Sequence, residues 1–293
     1  ADKYRRCSKK YRLGQNKMWQ RAFVVLVLMY VHNADCGIGM LYPRDSESRQ
    51  TKLLDGIWQF RADTSPTRNQ GFDQNWWTTR LSQSGPVIDM PVPSSYNDVT
   101  EDKSLRDFVG WVWYDREFYV SSDWATNRRV VLRIDSAHYN AIVWVNGNQV
   151  CQHEGGHLPF EGEVGSFLQF NVSNYVTVAV NNTLTPTTLP PGTIQYENDT
   201  SKYPPGYFVQ NLQMDFFNYA GIHRHVRLYT TPVVYVDDIT ILTNVENDIG
   251  QVNYTVVVAG GVAQAVEVSV LDANNKVVVW SNSLSDVLSI SFP

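Results

Sequence analysis

Past residue 37, apolar side chains recur every second position or in short unbroken β-rich runs, and no stretch carries the three-to-four spacing of an amphipathic helix. The clearest runs are 57–61, 111–120, 129–134, 141–145, 176–180 and 224–229. In the 111–120 run, WVWYDREFYV, large residues fall on both faces, which predicts a strand covered from both sides. Val145-Asn146-Gly147-Asn148 stands between two such runs, and Asn-Gly is the strongest short hairpin signal because both turn positions need positive φ. Many short strands joined by Gly, Pro and Asn turns predict an all-β fold, a sandwich or jelly roll over 38–231.

Two regions break this rhythm. Residues 183–206 carry Pro186, Pro190, Pro191, Pro204 and Pro205 with no period, and read as a long loop. A loop of that length inside a compact domain is usually functional or disordered, and the resumption of strand pattern on both sides favours function. From Thr231-Pro232 the runs 233–243, 252–258, 265–271 and 276–280 return at immunoglobulin-like spacing, with Asp272-Ala273-Asn274-Asn275 as a turn. Such a sandwich needs about 100 residues. Residues 232–293 are therefore expected to be an incomplete immunoglobulin-like domain, cut inside a β run.

Composition narrows the class. With 43% hydrophobic and 18% charged residues the chain has material for a core, and a net charge of −5 argues against a nucleic-acid surface, which wants a positive field. Aromatics at 13% suit either a β-rich core or sugar-stacking surfaces, and composition does not separate the two. Met18, the apolar run 22–31 and the small-residue stretch Asn33-Ala34-Asp35-Cys36-Gly37 read as a secretory signal peptide over 18–37. The apolar run is too short for a bilayer, which takes about 20 residues; the other reading is a buried or interfacial helix. Residues 1–17 would then be non-native upstream translation rather than a basic binding arm.

Cleavage there would leave Cys151 as the single certain thiol, expected to be a small buried apolar residue with no disulfide framework. Four N-x-[ST] sequons, at Asn171, Asn181, Asn198 and Asn253, agree with secretion and mark glycosylation sites.

His153-Glu154-Gly155-Gly156-His157 spells the zinc-protease string H-E-x-x-H, but that site needs both imidazoles on one helix face. Two central glycines and Pro159 oppose a helix, so a loop without metal is expected. His223 and His225 would share one strand face; a metal pair is conceivable, and a structural role is expected because no third ligand suggests itself. No nucleophile elbow, phosphate-cradling loop or dinucleotide fingerprint occurs. The residues thus describe a secreted pair of β domains that could serve an enzyme, a lectin-like binder or an adhesion module.

Longer segments say more. LDGIWQF (54–60), PVPSSYND (91–98), GWVWY (110–114), HEGGHLPFE (153–161), NNTLTPTTLPP (181–191), DTSKYP (199–204), DFFNYAGIHR (215–224) and LYTTP (228–232) together resemble the β-glucuronidases of glycoside hydrolase family 2. The likeness runs from about Leu41 to the end. It implies a jelly-roll sugar-binding domain, an immunoglobulin-like domain and then a TIM barrel that this chain lacks.

The resemblance also implies retaining hydrolysis of β-D-glucuronosides in glycosaminoglycans and conjugates, through two barrel glutamates about 5–5.5 Å apart. No residue of this chain receives either role, and the chain alone is expected to be inactive. The family's aspartate at the head of D-F-F-N-Y-A-G reaches the sugar pocket, which points to Asp215 as a substrate-binding residue; the alternative is a turn-capping aspartate. A homotetramer, a glucuronide-bearing carbohydrate partner, no cofactor and a lysosomal or secreted location are implied as well. The competing class is a short secreted carbohydrate-binding or interaction protein that kept only these front domains.

Overall fold

The computed structural model describes residues 41–215 and 219–291. The leader expected over 18–37, with Cys7 and Cys36, lies outside the described residues. The described chain is almost entirely β, its helices being single turns of three or four residues.

Nine strands come first: β1 (Thr51–Leu53), β2 (Gly56–Ala62), β3 (Ile88–Val92), β4 (Trp111–Tyr119), β5 (Arg128–Ile134), β6 (Asn140–Val145), β7 (Asn148–Glu154), β8 (Phe160–Glu163) and β9 (Ser173–Asn181). A ribbon of β10 (Gly192–Tyr196) and β11 (Phe208–Leu212) follows, and β12 (Val226–Pro232) closes the first unit. Six strands in the order β3-β2-β4-β9-β6-β7 form one sheet, and β1-β12-β5-β8 form the other. All pairs are antiparallel, so the unit is the jelly-roll sandwich that alternation predicted.

Alternation explains the core. On β5, Val130, Leu132 and Ile134 face the other sheet and join Trp58, Phe60, Val112, Tyr114, Val226 and Leu228 in the main cluster. The opposite face of β5 and β12 carries buried ions: Asp135 binds Arg133 at 2.6 Å and Arg227 at 2.7 Å, and Glu161 accepts from Tyr229 Oη at 2.8 Å. Buried charges need such partners.

Strand β4 is covered on both sides as expected. Val112 and Tyr114 point inward, while Trp113 packs outward with Trp76, Trp144 and Ala179. Gly71 lies so close beneath Trp113 that a Cβ there would sit 2.4 Å from the indole. The β6–β7 hairpin turns at Asn146 (φ 49°) and Gly147 (φ 80°), the two positive values that Asn-Gly permits.

Three expectations need correction. Residues 183–206 are not all loop: 192–196 form β10, paired in register with β11 from Gly192↔Leu212 to Tyr196↔Phe208. Prolines bracket that strand without entering it, so the ladder keeps its donors. Second, Cys151 is buried as expected but is disulfide-bonded. The expectation counted Cys151 as a lone thiol, and a disulfide takes a second sulfur. Third, β12 starts at Val226, so His223 and His225 precede the strand, and their rings take separate partners, Ser136 and Asp55.

Beyond Pro232, β13 (Tyr235–Glu246), β14 (Ile249–Ala259) and β17 (Ser285–Ser291) form a three-stranded sheet, and β15 (Val268–Leu271) pairs with β16 (Val277–Ser281). The turn at 272–275 closes on Asp272 with Asn275 at φ 61°. Tyr254, Val256 and Leu288 are its buried centre, while Ile241, Leu242, Val245 and Trp280 are each about 60% exposed or more.

Candidate carbohydrate-recognition site

Asp215 stands three residues past β11, exposed, and its carboxylate makes no hydrogen bond or ion pair with the described residues. A turn-capping aspartate would be accepting one. Phe216, Phe217 and Asn218 lie outside the described residues.

The chain that follows is gripped from two sides. Ser94 N donates to Ile222 O (2.9 Å), Tyr96 N to Ala220 O (3.2 Å) and His138 N to Gly221 O (3.0 Å), while Asn97 Oδ1 accepts from Ala220 N (2.8 Å). Gly221 has φ +120°, and a Cβ there would lie 2.7 Å from Tyr114 Oη and 3.1 Å from Ser94 O. Four of the segments singled out in the sequence, 91–98, 110–114, 153–161 and 215–224, thus converge on this strip. Physical contact joins motifs that sequence distance separates.

Beneath it lies an imidazole cluster. The His138 ring, fully buried, has its centroid 4.3 Å from His157, 4.1 Å from His223 and 4.6 Å from Tyr219. His138 Nε2 meets His157 Nδ1 at 3.3 Å. Ser136 Oγ donates to Gly156 O and lies 2.9 Å from His223 Nε2, so that nitrogen is the donor to the hydroxyl. Arg224 Nη1 donates to His157 O (3.2 Å) and adds positive potential.

Burial, then the neighbouring His223 and His157, push His138 down to about 3. Burial above all pushes His223 down to about 4, and burial with Arg224 lowers His157. The cluster is therefore neutral at neutral pH. Sequence reading missed His138 and Ser136 because neither sits in a quoted segment; their only signal is proximity to the end of β5.

The H-E-x-x-H string is strand and turn, not helix. His153 belongs to β7 and stacks on Phe160 at 4.6 Å, Leu158 N closes a turn on Gly155 O, and His157 goes to His138. His225 Nδ1 pairs with Asp55 at 2.5 Å. Of the sequons, Asn171, Asn198 and Asn253 are exposed, and Asn181, ending β9, is half-buried. The ribbon leads directly into Asp215: Gln213 N donates to Pro191 O at 3.1 Å, and Thr187 Oγ1 ties the neighbouring turn to Glu154 at 3.1 Å.

Known proteins agree with this layout. Beta-glucuronidase of Felis catus is 59% identical over 251 residues, covering 83% of this chain and 39% of that protein. Beta-glucuronidase of Homo sapiens is 58% identical over 245 residues, covering 82% and 38%. The chain thus spans about two fifths of the length of the curated relatives it matches. Among solved structures, a beta-glucuronidase from an uncultured Clostridium superposes with TM-score 0.76 at 42% identity, covering 86% of this chain and 41% of that one. That of Ruminococcus gnavus in complex with D-glucuronic acid gives 0.75 at 31%, with the same coverage. Residues 51–232 match the family described as "Glycosyl hydrolases family 2, sugar binding domain", and with the sandwich that these residues form, the chain belongs to glycosyl hydrolase family 2.

Proposed function

We propose that this chain is the sugar-recognising front part of a retaining β-glucuronidase, and that Asp215 accepts hydrogen bonds from hydroxyls of the glucuronosyl unit. One observation carries the reading: an exposed carboxylate with no partner among the described residues opens the segment 215–224, in which 220–222 are held from both sides by hydrogen bonds. Fixed main chain beside a free acceptor is what orienting a polyol requires, because the ordering cost is met in the fold and not on binding.

Hydrolysis needs a carboxylic acid at the leaving oxygen and a carboxylate at the anomeric carbon, about 5–5.5 Å apart. We assign neither to this chain and place both on a barrel of the longer protein. The substrates would be β-D-glucuronosides of glycosaminoglycans and conjugates. The reading extends to domains at 38–231 and 232–293, with the second an incomplete immunoglobulin-like sandwich. It also includes a signal peptide at 18–37, glycans at Asn171, Asn181, Asn198 and Asn253, a lysosomal or secreted destination, and a homotetramer at full length.

Two measurements test it. Purified chain mixed with a chromogenic glucuronide is expected to release no chromophore; turnover would place catalytic groups here and defeat the assignment. In a longer protein that includes the barrel, Asp215→Ala is expected to lower kcat/KM about tenfold or more, as for loss of one hydrogen bond to a charged group. Unchanged kinetics in a folded variant would remove Asp215 from the site.

A further inference from the structure

Strand β9 pairs with β4 on one side and β6 on the other, and at its last residue the register sets Trp111 directly across from Asn181. Directly opposed residues share a sheet face with Cβ atoms about 4.5–5.5 Å apart. That face is the outer one, because Trp113 and Ala179, the pair two residues further along, belong to the outward aromatic cluster. Trp111 is itself half-buried, braced edge-on by Phe72 at 4.9 Å.

A groove of about 380 Å³ opens at this spot, lined by Trp111, Asn181, Thr183, Arg68 and, from the ribbon, Tyr196 and Phe208. Asn181 and Thr183 are the first and third residues of a sequon. Its middle residue, Asn182, is buried and points the other way, accepting from Gly110 N (2.9 Å) and donating to Phe108 O (2.8 Å). Asn181 Oδ1 accepts from Thr183 N at 2.8 Å, which commits the amide oxygen to the backbone and leaves Nδ2 as the atom able to carry a sugar.

We propose that Asn181 carries an N-linked glycan whose first N-acetylglucosamine lies in this groove, with its C–H face on the Trp111 indole, so that the sugar completes the outer aromatic cluster. The proposal rests on the secretory reading above, which already places a glycan at Asn181, and adds to it a structural role. In the linking step Asn181 Nδ2 forms a bond to C1 of the sugar of a polyprenyl-diphosphate-linked oligosaccharide. The C1–O bond breaks, the diphosphate leaves with its electron pair, and the Nδ2 proton passes to a base of the transferase. The stacking follows from charge distribution: an aromatic face is negative, and the axial C–H bonds of a pyranose point their positive ends at it. A half-exposed indole beside the linkage atom gives the sugar a surface with almost no linker to order.

The test compares the chain made in a glycosylating secretory host in three forms: intact, trimmed by an endoglycosidase to one N-acetylglucosamine per site, and Asn181→Gln. Trimming is expected to leave Tm within about 1 °C of intact, whereas Asn181→Gln lowers it by about 2–4 °C, the shift that 1 kcal/mol gives a domain of this size. Asn198→Gln serves as the control and is expected to leave Tm in place. Equal Tm for the trimmed and Asn181→Gln forms overturns the packing. Mass analysis of the peptide holding Asn181 separates the two layers. An unmodified Asn181 defeats both the glycoprotein reading of this site and the proposal, and a modified Asn181 with no Tm gap defeats the packing alone. Because Asn181→Gln also displaces the oxygen that accepts from Thr183 N, the deciding comparison uses unmutated chain, trimmed against fully deglycosylated by an amidase, which leaves an aspartate able to accept that bond; equal Tm for these two forms overturns the packing.

Discussion

Gly221 shows how much of the candidate site depends on one missing methyl group. Its φ of +120° and its approach to Tyr114 Oη and Ser94 O leave no room for a Cβ. Gly221→Ala is expected to destabilise by about 1–3 kcal/mol, read as a lower urea midpoint, because Tyr114 is fixed in the core and Ser94 by its hydrogen bond to Ile222 O. Beside it, His138 makes stability depend on pH in a definite direction. Its ring is pushed down to about 3, while an unfolded chain would titrate it near 6.5. Below about pH 6.5 the unfolded state binds the proton first, so stability falls as pH drops and levels off only near pH 3. The slope from this one group is at most about 1.4 kcal/mol per pH unit, and His223, also depressed, acts in the same sense. Tm is expected to fall between pH 7.5 and pH 5, and to fall less in His138→Gln; an identical slope in that variant would dissociate the cluster from the effect.

At the scale of elements, the strands follow from alternation and the turns from Asn and Gly. Strand β4 is the informative case, since its inward Val112 and Tyr114 and its outward Trp113 serve different clusters. Trp113→Ala empties the middle of the outer cluster, where Trp76, Trp77 and Trp144 all lie within about 6 Å of its ring centroid. A loss of about 3–5 kcal/mol is expected on chemical unfolding. The same sequence rules failed at β10 for a specific reason. Five prolines and several threonines mask a short alternating stretch, 192–196, whose partner strand lies eleven residues beyond. Pairing over that distance is invisible to local pattern. His138 and Ser136 were missed likewise, because what makes them notable is the company of His157, Tyr219 and His223, all of them distant in sequence except His157.

For the whole molecule, the two units differ in how fully they bury what they contain. The sandwich of residues 51–232 closes on a continuous core, whereas the strands beyond it present Ile241, Leu242, Val245 and Trp280 to solvent. Large apolar side chains left exposed favour association. The isolated chain is expected to show a concentration-dependent rise in mass by sedimentation, and replacing Leu242 and Trp280 by polar residues is expected to reduce it. Period-two alternation, Asn-Gly turn chemistry and long ordered segments were enough, from the amino-acid order alone, to establish the all-β class, the sandwich and the family. Those signals are local or cumulative along the chain, and a linear string carries them in full. Only the folded arrangement decided that 91–98 grips 219–222, that three imidazoles share one buried space and that Trp111 faces Asn181 across a ladder. Each of these is a pairing between distant residues, set by sheet register and closure of the core, and no single segment contains it.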